Sequence, residues 1–307
     1  MDVRPRIDVA ILGAVSQEVS ALTDLLNGCR LHSIRCQNFW IGKYSGLSVL
    51  VGTTGLGKVN AAITTTSLLE RFSIAQVWNI GCSGAYPGGP IQTADVLITD
   101  HALCGDEGVL TQAGVLPLSE IGIPLIVFNG KEYYDSLPLH WEGNLQALID
   151  KTPPGIYRQK RGAPPACAIL CAKEHEEERQ RSCDKDLTTG TFSPSSTPLA
   201  DDDRFGPDED FFRLIYGPSL SLSMASGDPE VAARRFQHYC AHAENMEGSA
   251  VVQTCLRFGI QVMECRGISN IAGVRSKETW QLEKSIAHCH GIIINCLDAL
   301  ISLKLLD

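Results

Sequence analysis

Positive charge and long apolar segments are scarce in this sequence of 307 residues. It has 26 lysine and arginine residues against 35 aspartate and glutamate residues, a net charge of −9, and no basic stripe with interleaved aromatic residues. Nucleic acid is therefore not expected as a partner. No apolar run reaches membrane length, and the start of the chain, Met1–Arg6, lacks the core of a signal peptide. The sequence thus predicts a cytoplasmic protein that binds no membrane.

The chain also lacks the spacing of a standard metal site. Most of its twelve cysteines lie in apolar runs, where reduced cysteine packs as a small hydrophobic residue. One cluster, Cys167, Cys171 and His175 with Cys183 further on, does not have the spacing of a zinc site. No pattern matches a Ser/His/Asp triad or a nucleophile elbow. We expect neither a bound metal nor a cofactor.

Apolar strands alternate with helices along most of the chain. These strands do not alternate in polarity, which is typical of strands covered on both faces. The pattern predicts an α/β fold in three layers, with a mostly parallel, twisted central sheet flanked by helices. The predicted helices are Ser16–Leu26, Gly57–Arg71, Pro229–Tyr239, Gly248–Phe258 and Gln281–Leu305. The predicted strands are Asp8–Gly13, Ala75–Gly81, Asp95–Thr99, Leu214–Leu222 and Ile260–Cys265, with a hairpin at Phe39–Gly52.

The regular pattern stops within residues 151–212. Twelve acidic and five basic residues lie between Lys173 and Asp210, among many Ser, Thr and Pro residues and few large apolar ones. Such a segment cannot bury enough surface to offset the entropy of ordering it. We predict a single domain formed by residues 1–150 and 213–307, interrupted by an acidic insertion of low order at 151–212. Residues 173–210 are expected to be dispensable for folding.

A glycine-rich turn, Gly52–Lys58, matches part of a phosphate-binding loop. It follows a predicted strand and opens a predicted helix. The next residue is Val59, however, where such a loop needs Ser or Thr to hold magnesium. We therefore interpret the turn as one that lets the backbone approach another group, and we do not predict an ATPase.

Polar side chains follow several predicted strands at the edge where α/β folds bind ligands. Glu18 and Glu247 each lie at the start of a predicted helix, Asn270 follows a buried strand, and Ser83 and Gly84 follow another strand. Each has an ordinary alternative: a solvated residue in a first helical turn, or part of a tight turn. Two carboxylates converging from separate loops favour general acid/base chemistry. We predict a site for a small polar ligand.

Six motifs in this chain resemble those of one superfamily. They are Gly13-Ala-Val-Ser-Gln-Glu18, Thr54-Gly-Leu-Gly-Lys-Val-Asn-Ala-Ala62, Asn79-Ile-Gly-Cys-Ser-Gly84, Gly105-Asp-Glu-Gly-Val109, Asn245-Met-Glu-Gly248 and Arg266-Gly-Ile-Ser-Asn270. Together they resemble the nucleoside phosphorylase/nucleosidase superfamily over Val9–Val127 and Tyr216–Leu300. Within it, the last two motifs are more similar to the futalosine hydrolases of menaquinone biosynthesis than to the methylthioadenosine nucleosidases. The comparable positions of the latter read Glu-Met-Glu and Ser-Asp.

The resemblance implies the superfamily's three-layer fold and a role for each candidate residue around the sugar. Glu18 would activate the attacking water, and Glu247 with Met246 would hold the ribose. The backbone around Ser83 and Gly84 would help to place water or sugar. These assignments describe an N-glycosyl hydrolase, in which a ribosyl–purine bond breaks through an oxocarbenium-like state.

The resemblance also implies how the base is bound. Asn270 would bind the purine, and Val231 lies where the family has an aromatic residue against the base. An amide NH₂ can donate to O6 or N7 of a 6-oxopurine. We therefore expect hydrolysis of futalosine to hypoxanthine and dehypoxanthine futalosine, by a homodimer or a higher homo-oligomer.

Other activities stay open at this point. The chain could be a nucleosidase of the methylthioadenosine/S-adenosylhomocysteine type, or an aminodeoxyfutalosine hydrolase. A nucleoside phosphorylase would need a cation for phosphate, and the loop Val15–Glu18 offers a carboxylate instead. A non-catalytic nucleoside-binding module would have no need of both Glu18 and Glu247.

Overall fold

The computed structural model describes residues 4–112, 114–139, 141–160, 169–171 and 209–304. The strands of these parts of the chain, in order, are β1 (Arg6–Gly13), β2 (Asn27–Ile34), β3 (Gln37–Tyr44), β4 (Leu47–Thr53), β5 (Ser73–Ala85), β6 (Val96–Cys104), β7 (Gly108–Thr111), β8 (Gly114–Pro117), β9 (Ile126–Phe128), β10 (Lys131–Tyr133), β11 (Ser136–Pro138), β12 (Gly155–Lys160), β13 (Ile169–Cys171), β14 (Glu209–Ser221), β15 (Ala243–Asn245) and β16 (Gln261–Ile271).

Twelve of these strands form one sheet. Its order is β13-β12-β14-β6-β16-β5-β1-β4-β3-β2, with β11 paired to β6, and β15 paired to both β14 and β5. In the middle, β4, β1, β5 and β16 are mutually parallel, as are β6 and β14, whereas β16 meets β6 in antiparallel orientation. Antiparallel pairs extend both ends. The predicted α/β fold with a central sheet is confirmed. Most of the parallel strand pairs lie in the middle of this sheet.

Helices cover both faces of this sheet. The helices in the described parts of the chain are α1 (Ser20–Thr23), α2 (Lys58–Arg71), α3 (Leu118–Ile121), α4 (Gly143–Asp150), α5 (Pro229–Tyr239), α6 (Gly248–Phe258) and α7 (Leu282–Lys304). Val9 and Ile11 of β1 belong to the buried cluster that includes α4 and α7. Ala10 and Leu12 belong to the cluster that includes α2 and α6. Because successive strand residues point to opposite faces, each apolar strand fills two core layers.

The hairpin predicted at Phe39–Gly52 is formed by β3 and β4, which pair in antiparallel orientation. Its turn is Ser45–Gly46, with φ angles of 45° and 96°. Positive φ at both central positions gives the turn the twist of the strands that it joins. The helices predicted at Gly57–Arg71, Pro229–Tyr239 and Gly248–Phe258 begin and end within one residue of the observed ones.

The helix predicted at Ser16–Leu26 is wrong. Ser16–Glu18 form a single 3₁₀ turn, the four residues of α1 follow, and the chain enters strand β2 at Asn27. The backbone bonds of this segment join residues three apart, such as Val19 N to Ser16 O and Leu22 N to Val19 O. Bonds of this 3₁₀ type rarely extend beyond one turn, so no continuous helix reaches Leu26.

The edges of the predicted insertion at 151–212 belong to the sheet. β12 pairs in antiparallel orientation with β13 and with β14. Tyr157 and Phe212 are buried, and their rings stack with centroids 5.9 Å apart. These aromatic residues offset the ordering cost of the flanking strands, so the boundary drawn from local composition was too wide. Residues 161–168 and 172–208 lie outside the described residues.

One helix in the described part of the chain is long and apolar enough to cross a membrane, contrary to the expectation from the sequence. The segment Lys277–Leu303 contains an 18-residue window with a mean hydropathy of 1.5, of which 61% is buried inside the protein. Ile292, Ile293 and Cys296 of α7 lie in the core cluster against β1 and β5. Packing against the sheet therefore accounts for the apolar character of this helix.

Candidate active site

The candidate residues meet at one edge of the central sheet. β1, β5 and β16 are parallel neighbours, so their carboxyl ends point the same way. The turn Ser16–Glu18 follows β1, Ser83 and Gly84 lie near the end of β5, and Asn270 lies near the end of β16. β15 pairs with the end of β5 and leads into Glu247 at the start of α6. This is the edge at which open α/β sheets bind ligands.

Glu18 is held in place by backbone N–H groups. Its Oε2 accepts from Ala14 N at 2.7 Å and from Val15 N at 3.2 Å, and its Oε1 accepts from Cys82 N at 2.8 Å. The residue is only 8% exposed. The close approach needs Gly81, because a Cβ there would lie 2.8 Å from Glu18 Cδ and 2.8 Å from Arg266 Nη1. Glu18 is therefore fixed at the floor of the crevice.

His290 of α7 supports the same turn from behind. Its Nε2 lies 2.7 Å from the backbone carbonyl oxygen of Glu18, so Nε2 carries the proton and donates. Burial lowers the pKa of His290 below its ordinary value, which favours the neutral ring. The contact spans most of the chain, and no local pattern signals it.

Glu247 faces the crevice from the start of α6. Its Oε1 accepts a hydrogen bond from Gly57 N at 2.9 Å, which is the close backbone approach that the glycine-rich turn permits. Asn245 Oδ1 fixes the segment by accepting from the N–H groups of Glu247 and Gly248 at 3.0 and 2.7 Å. Burial raises the pKa of the Glu247 carboxyl, while Arg266 and the bond from Gly57 act in the opposite direction.

A fully buried ion pair lies beneath these two carboxylates, and the sequence analysis did not identify it. Arg266 and Glu264 of β16 are both 0% exposed, with Nη2 of the arginine 3.3 Å from Oε2 of the glutamate. Glu264 also accepts from Asn79 Nδ2 at 2.8 Å and from Thr99 Oγ1 at 2.9 Å. The alternation of a charged residue with apolar ones in β16 was the available signal. It was missed because β16 was expected to be wholly apolar.

Arg266 interacts electrostatically with three carboxylates, those of Glu264, Glu247 and Glu18. Burial alone would lower the pKa of Arg266, but these carboxylates outweigh it and raise the pKa above its ordinary value. One positively charged guanidinium thus interacts with three carboxylates. The floor of the crevice keeps an excess of negative charge, which favours a substrate that becomes cationic as it reacts.

Lys58, the cation of the phosphate-loop-like turn, is already paired. Its ammonium group forms salt bridges with Asp106 and Glu107, and Asp106 also accepts from Ser223 N at 2.6 Å. These acidic partners raise the pKa of Lys58. The lysine therefore ties the glycine-rich turn to a neighbouring loop, in agreement with the interpretation that it is not a nucleotide-phosphate ligand.

Ser83, Gly84 and Asn270 lie side by side on adjacent strands. Gly84 is the register partner of Asn270, and a Cβ on it would lie 3.3 Å from Asn270 Nδ2. Ser83 is 4% exposed, and its Oγ has no hydrogen-bond partner among the described residues. Asn270 is half-buried. A buried hydroxyl and a half-buried amide at one strand end can both orient a polar ligand.

Val231 and Met246 are half-buried at the margins of this edge. Val231 lies in the first turn of α5, and its N–H donates to Asp228 Oδ1 at 2.9 Å. The chain before α5 packs on Gly273, where a Cβ would lie 2.8 Å from Pro229 Cα. The start of α5 is therefore adjacent to the segment that follows β16, and β16 is the strand that carries Asn270.

A second buried carboxylate cluster fixes the loop that precedes α5. Glu244 of β15 accepts from Ser226 N at 2.7 Å, from Ser226 Oγ at 2.6 Å and from Tyr86 Oη at 2.9 Å. Arg235 of α5 lies 3.5 Å from the same carboxylate and donates to Ser226 Oγ at 2.9 Å. Every contact in this cluster is internal, so Glu244 anchors the wall of the crevice.

The profile of the Phosphorylase superfamily matches residues 8–301. The chain belongs to this superfamily. Among its relatives, a 5'-methylthioadenosine/S-adenosylhomocysteine nucleosidase from Bacillus cytotoxicus is 25% identical, over 95% of this chain and 99% of its own length. A futalosine hydrolase from Thermus thermophilus is 24% identical, over 76% of this chain and 74% of its own length. The prediction of an enzyme of the N-glycosyl hydrolase class is confirmed by these relatives.

Solved structures of the superfamily share the fold. A 5'-methylthioadenosine/S-adenosylhomocysteine nucleosidase from Colwellia psychrerythraea, in complex with adenine, has a TM-score of 0.65 at 18% identity and covers 97% of each chain. The futalosine hydrolase of Helicobacter pylori has a TM-score of 0.64 at 18% identity, covering 95% of this chain and 97% of that one. Both kinds of nucleosidase fit the fold, so the particular nucleoside stays a prediction.

The roles of individual residues also stay predictions, although the structure brings Glu18, Glu247, Ser83, Gly84 and Asn270 to one edge. Within the described ranges, no group of three His, Cys, Asp or Glu side chains is arranged to hold a metal ion. The side chains of the cysteine–histidine cluster beginning at residue 167 lie outside the described residues. The expected homo-oligomer and cytoplasmic location stay predictions.

Proposed function

We propose that this enzyme hydrolyses the N-ribosidic bond of a 6-oxopurine nucleoside, with futalosine as its substrate and hypoxanthine and dehypoxanthine futalosine as products. The observation that carries the proposal is the pairing of two buried carboxylates, Glu18 and Glu247, with an amide, Asn270, at one strand edge. The carboxylates suit a reaction through a cationic sugar. The amide suits a base that presents an acceptor.

Glu18 is the proposed general base. Its carboxylate is oriented by three backbone N–H groups, which leaves about one of its four lone-pair sites for a water molecule. Water attacks C1′ of the ribose, its proton passes to Glu18, and the bond between C1′ and the purine nitrogen breaks with its electron pair going to the base. A positioned general base contributes about 10²–10⁴-fold to such a reaction.

Glu247 is proposed to bind the ribose hydroxyls, with Met246 packing against the sugar. An ionised carboxylate accepts hydrogen bonds from two adjacent hydroxyls. Its negative charge also stabilises the oxocarbenium-like sugar, as does the excess of carboxylates around Arg266. Ser83 and Gly84 are proposed to place the sugar or the water from the end of β5.

Asn270 is proposed to bind the departing base. Its NH₂ group can donate to O6 or N7 of hypoxanthine, whereas adenine presents an NH₂ donor at the sixth position. A neutral amide cannot deliver a full proton. Hydrogen bonding suffices because hypoxanthine can leave with anionic character and take its proton from solvent. Val231, in the first turn of α5, is proposed to contact the face of the purine.

Hydrolysis is favoured over phosphorolysis by the pairing of the nearby cations. Arg266 is shared by three carboxylates, and Lys58 is bound by Asp106 and Glu107. Phosphate recognition depends on Arg or Lys donors that can turn to the anion. A phosphate group at this edge would instead meet Glu18 and Glu247, which would repel it.

The reaction can be tested by incubating the purified protein with futalosine, aminodeoxyfutalosine and methylthioadenosine, each with and without phosphate. The proposal expects release of hypoxanthine from futalosine at a rate that does not depend on phosphate. A requirement for phosphate would identify a phosphorylase. Binding of the nucleosides without any release of base would identify a non-catalytic module.

A second candidate is a methylthioadenosine/S-adenosylhomocysteine nucleosidase. It is favoured by coverage, because the relative with that name aligns over 95% of this chain, against 76% for the relative named as a futalosine hydrolase. The same incubation separates the two. A kcat/KM that is higher for methylthioadenosine than for futalosine would replace the first proposal with this one.

A further inference from the structure

A β-bulge lies in β16 next to the proposed base site. Ile268 pairs with Ser83 of β5, and Asn270 pairs with Gly84, so Ser269 is an additional residue between two regular pairs. Its backbone carbonyl oxygen accepts from Gln281 N at 2.8 Å, outside the sheet. Bulges of this kind redirect side chains beside active sites. Here the bulge lets the side chains of Ser269 and Asn270 meet each other.

The contacts of the Asn270 amide determine its orientation. One end of the amide lies 3.0 Å from the carbonyl oxygen of Ile271, which can only accept a hydrogen bond, so this end is Nδ2. The other end is then Oδ1, which can only accept. Ser269 Oγ lies 2.8 Å from Asn270 Oδ1 and 3.3 Å from Ser83 O, so its single hydrogen goes to the nearer acceptor, Oδ1. The opposite orientation would place the amide oxygen against the carbonyl of Ile271.

One N–H of this amide has no acceptor among the described residues, and Nδ2 lies beside Gly84. A Cβ at Gly84 would come within 3.3 Å of Asn270 Nδ2, so the glycine leaves space where a side chain would press on the donor. The first N–H is used by Ile271, and Ser269 uses one lone pair of Oδ1. The free donor therefore opens onto the strand end where the base is proposed to lie.

We propose that Ser269 is a positioning residue for base selection. By holding Asn270 Oδ1, its hydroxyl keeps a donor directed at the purine, so a base with an acceptor at the sixth position is preferred to one with an NH₂ group there. This inference rests on the proposed function for the place of the base. It adds that selectivity depends on the bulge residue and not on the identity of Asn270 alone.

The test measures the dissociation constants of the free bases hypoxanthine and adenine by calorimetry, for the unmodified enzyme and for Ser269→Ala. A mispaired polar group in a buried site costs about 1–3 kcal/mol, equivalent to about five- to 150-fold. We expect a clear preference for hypoxanthine in the unmodified enzyme. In Ser269→Ala, Asn270 Oδ1 loses its donor and Ile271 alone holds the amide, so the preference should fall by about three- to tenfold.

Two variants control for effects of a merely structural kind. Ser269→Thr keeps the hydroxyl and should retain the preference. Thr254→Val removes another buried hydroxyl, which donates to Ala250 O within α6, and should change neither affinity. If Ser269→Ala does not fold, Gly84→Ala tests the same amide from its other side. Its methyl group would press on Nδ2 and should weaken hypoxanthine binding more than adenine binding.

The outcomes separate this inference from the proposed function. No preference for hypoxanthine in the unmodified enzyme, or an unchanged preference in Ser269→Ala, overturns the role of Ser269. When Gly84→Ala takes its place, equal losses for the two bases overturn it. If the preference is present and falls as expected but futalosine is not hydrolysed, the inference stands and the proposed reaction fails.

Discussion

Arg266 and Arg235 each interact with buried carboxylates, but with different numbers of them. Arg266 interacts with three of them, two of which face the crevice. Arg235 lies beside one, that of Glu244, and the oxygens of this carboxylate also accept from Ser226 and Tyr86. The first cluster keeps uncompensated negative charge at the place where a sugar is expected to become cationic. The second is balanced and internally bonded, as suits a cluster that only anchors a loop.

The largest effect is expected from a substitution in the Arg266 cluster, at Glu18. Glu18→Gln removes the proposed base and its charge and keeps the shape of the side chain, although its NH₂ group replaces one of the two oxygens that accept from backbone N–H groups. It should lower kcat by about 10²–10⁴-fold while nucleoside binding and the fold remain. Steady-state kinetics with futalosine, together with calorimetric binding of the nucleoside, measures both. Near-full activity would remove Glu18 from the mechanism.

Removal of Arg266, the cation shared by the three carboxylates, should destabilise the folded protein. Arg266→Met leaves the buried carboxylate of Glu264 without its counter-charge. It also removes the positive charge that offsets the repulsion between Glu18 and Glu247. Loss of one member of a buried ion pair costs about 3–5 kcal/mol of unfolding free energy. Urea denaturation of this variant measures the loss. The double variant Arg266→Met/Glu264→Gln should recover part of it, and no recovery would show that the pairing is not the cause.

Base selectivity should change when a further carboxylate is added at the same edge. Asn270→Asp replaces a donor with an acceptor, which suits the 6-amino group of adenine. The preference for futalosine over aminodeoxyfutalosine should shift towards the amino substrate by about ten- to hundredfold. The ratio of kcat/KM for the two substrates, in both proteins, decides the matter. If the ratio does not move, Asn270 does not select the base.

The balanced cluster should respond more mildly. Glu244→Gln keeps most of the shape but leaves Arg235 without its charge partner and places a donor among donors. The unfolding free energy should fall by about 1–3 kcal/mol. KM should rise as the loop at Ser226 loosens, while kcat changes less than in Glu18→Gln. A drop in kcat as large as that of Glu18→Gln would mean that this cluster also takes part in the chemistry.

The smallest expected effect is a displaced pH profile. Burial raises the pKa of Glu247, so this carboxyl gains its proton at a higher pH than an ordinary glutamate, whose pKa is about 4.3. Because the ionised form is the proposed ribose ligand, kcat/KM should fall as the pH drops through that raised pKa. For stability the sign is opposite: the protonated group is favoured in the folded protein, and this contribution is lost as the pH rises through the folded pKa.

The profile of kcat/KM against pH can be compared between the unmodified enzyme and Glu247→Gln, which should lose this acid limb. An acid limb at or below the ordinary glutamate range would contradict the raised pKa. In Arg266→Met, if it folds, the limb should move to higher pH, because Arg266 lowers the pKa of Glu247.

The sequence predicted those parts of the molecule that depend on short-range pattern. Helices α2, α5 and α6 follow from apolar periodicity and from residues typical of their ends, and Glu18 and Glu247 were identified because each lies at the start of a predicted helix. The first helix was wrong because the backbone bonds there join residues three apart and the chain enters β2 at Asn27. Local composition also could not reveal that Tyr157 and Phe212 would bury each other.

The charge clusters could not be predicted, because their members are distant in the chain. Arg266 meets Glu18 only when β1, β5 and β16 are adjacent, and a charged residue within an apolar strand gives no hint of its partners. Glu244 likewise finds Tyr86 and Arg235 only through the sheet and α5. The pairing of β16 with β5 in the sheet, and not sequence spacing, also places Ser269 in its bulge.

The bond from His290 to the carbonyl of Glu18 links the order of synthesis to the completion of the turn that carries the proposed base. A ribosome makes Glu18 early and His290 only after nearly the whole domain has emerged. An incomplete chain that stops before α7 would carry the sequence motifs of the site but would lack the support behind its proposed base. Activity at the proposed site would then require α7, and translation products that stop before α7 would lack it.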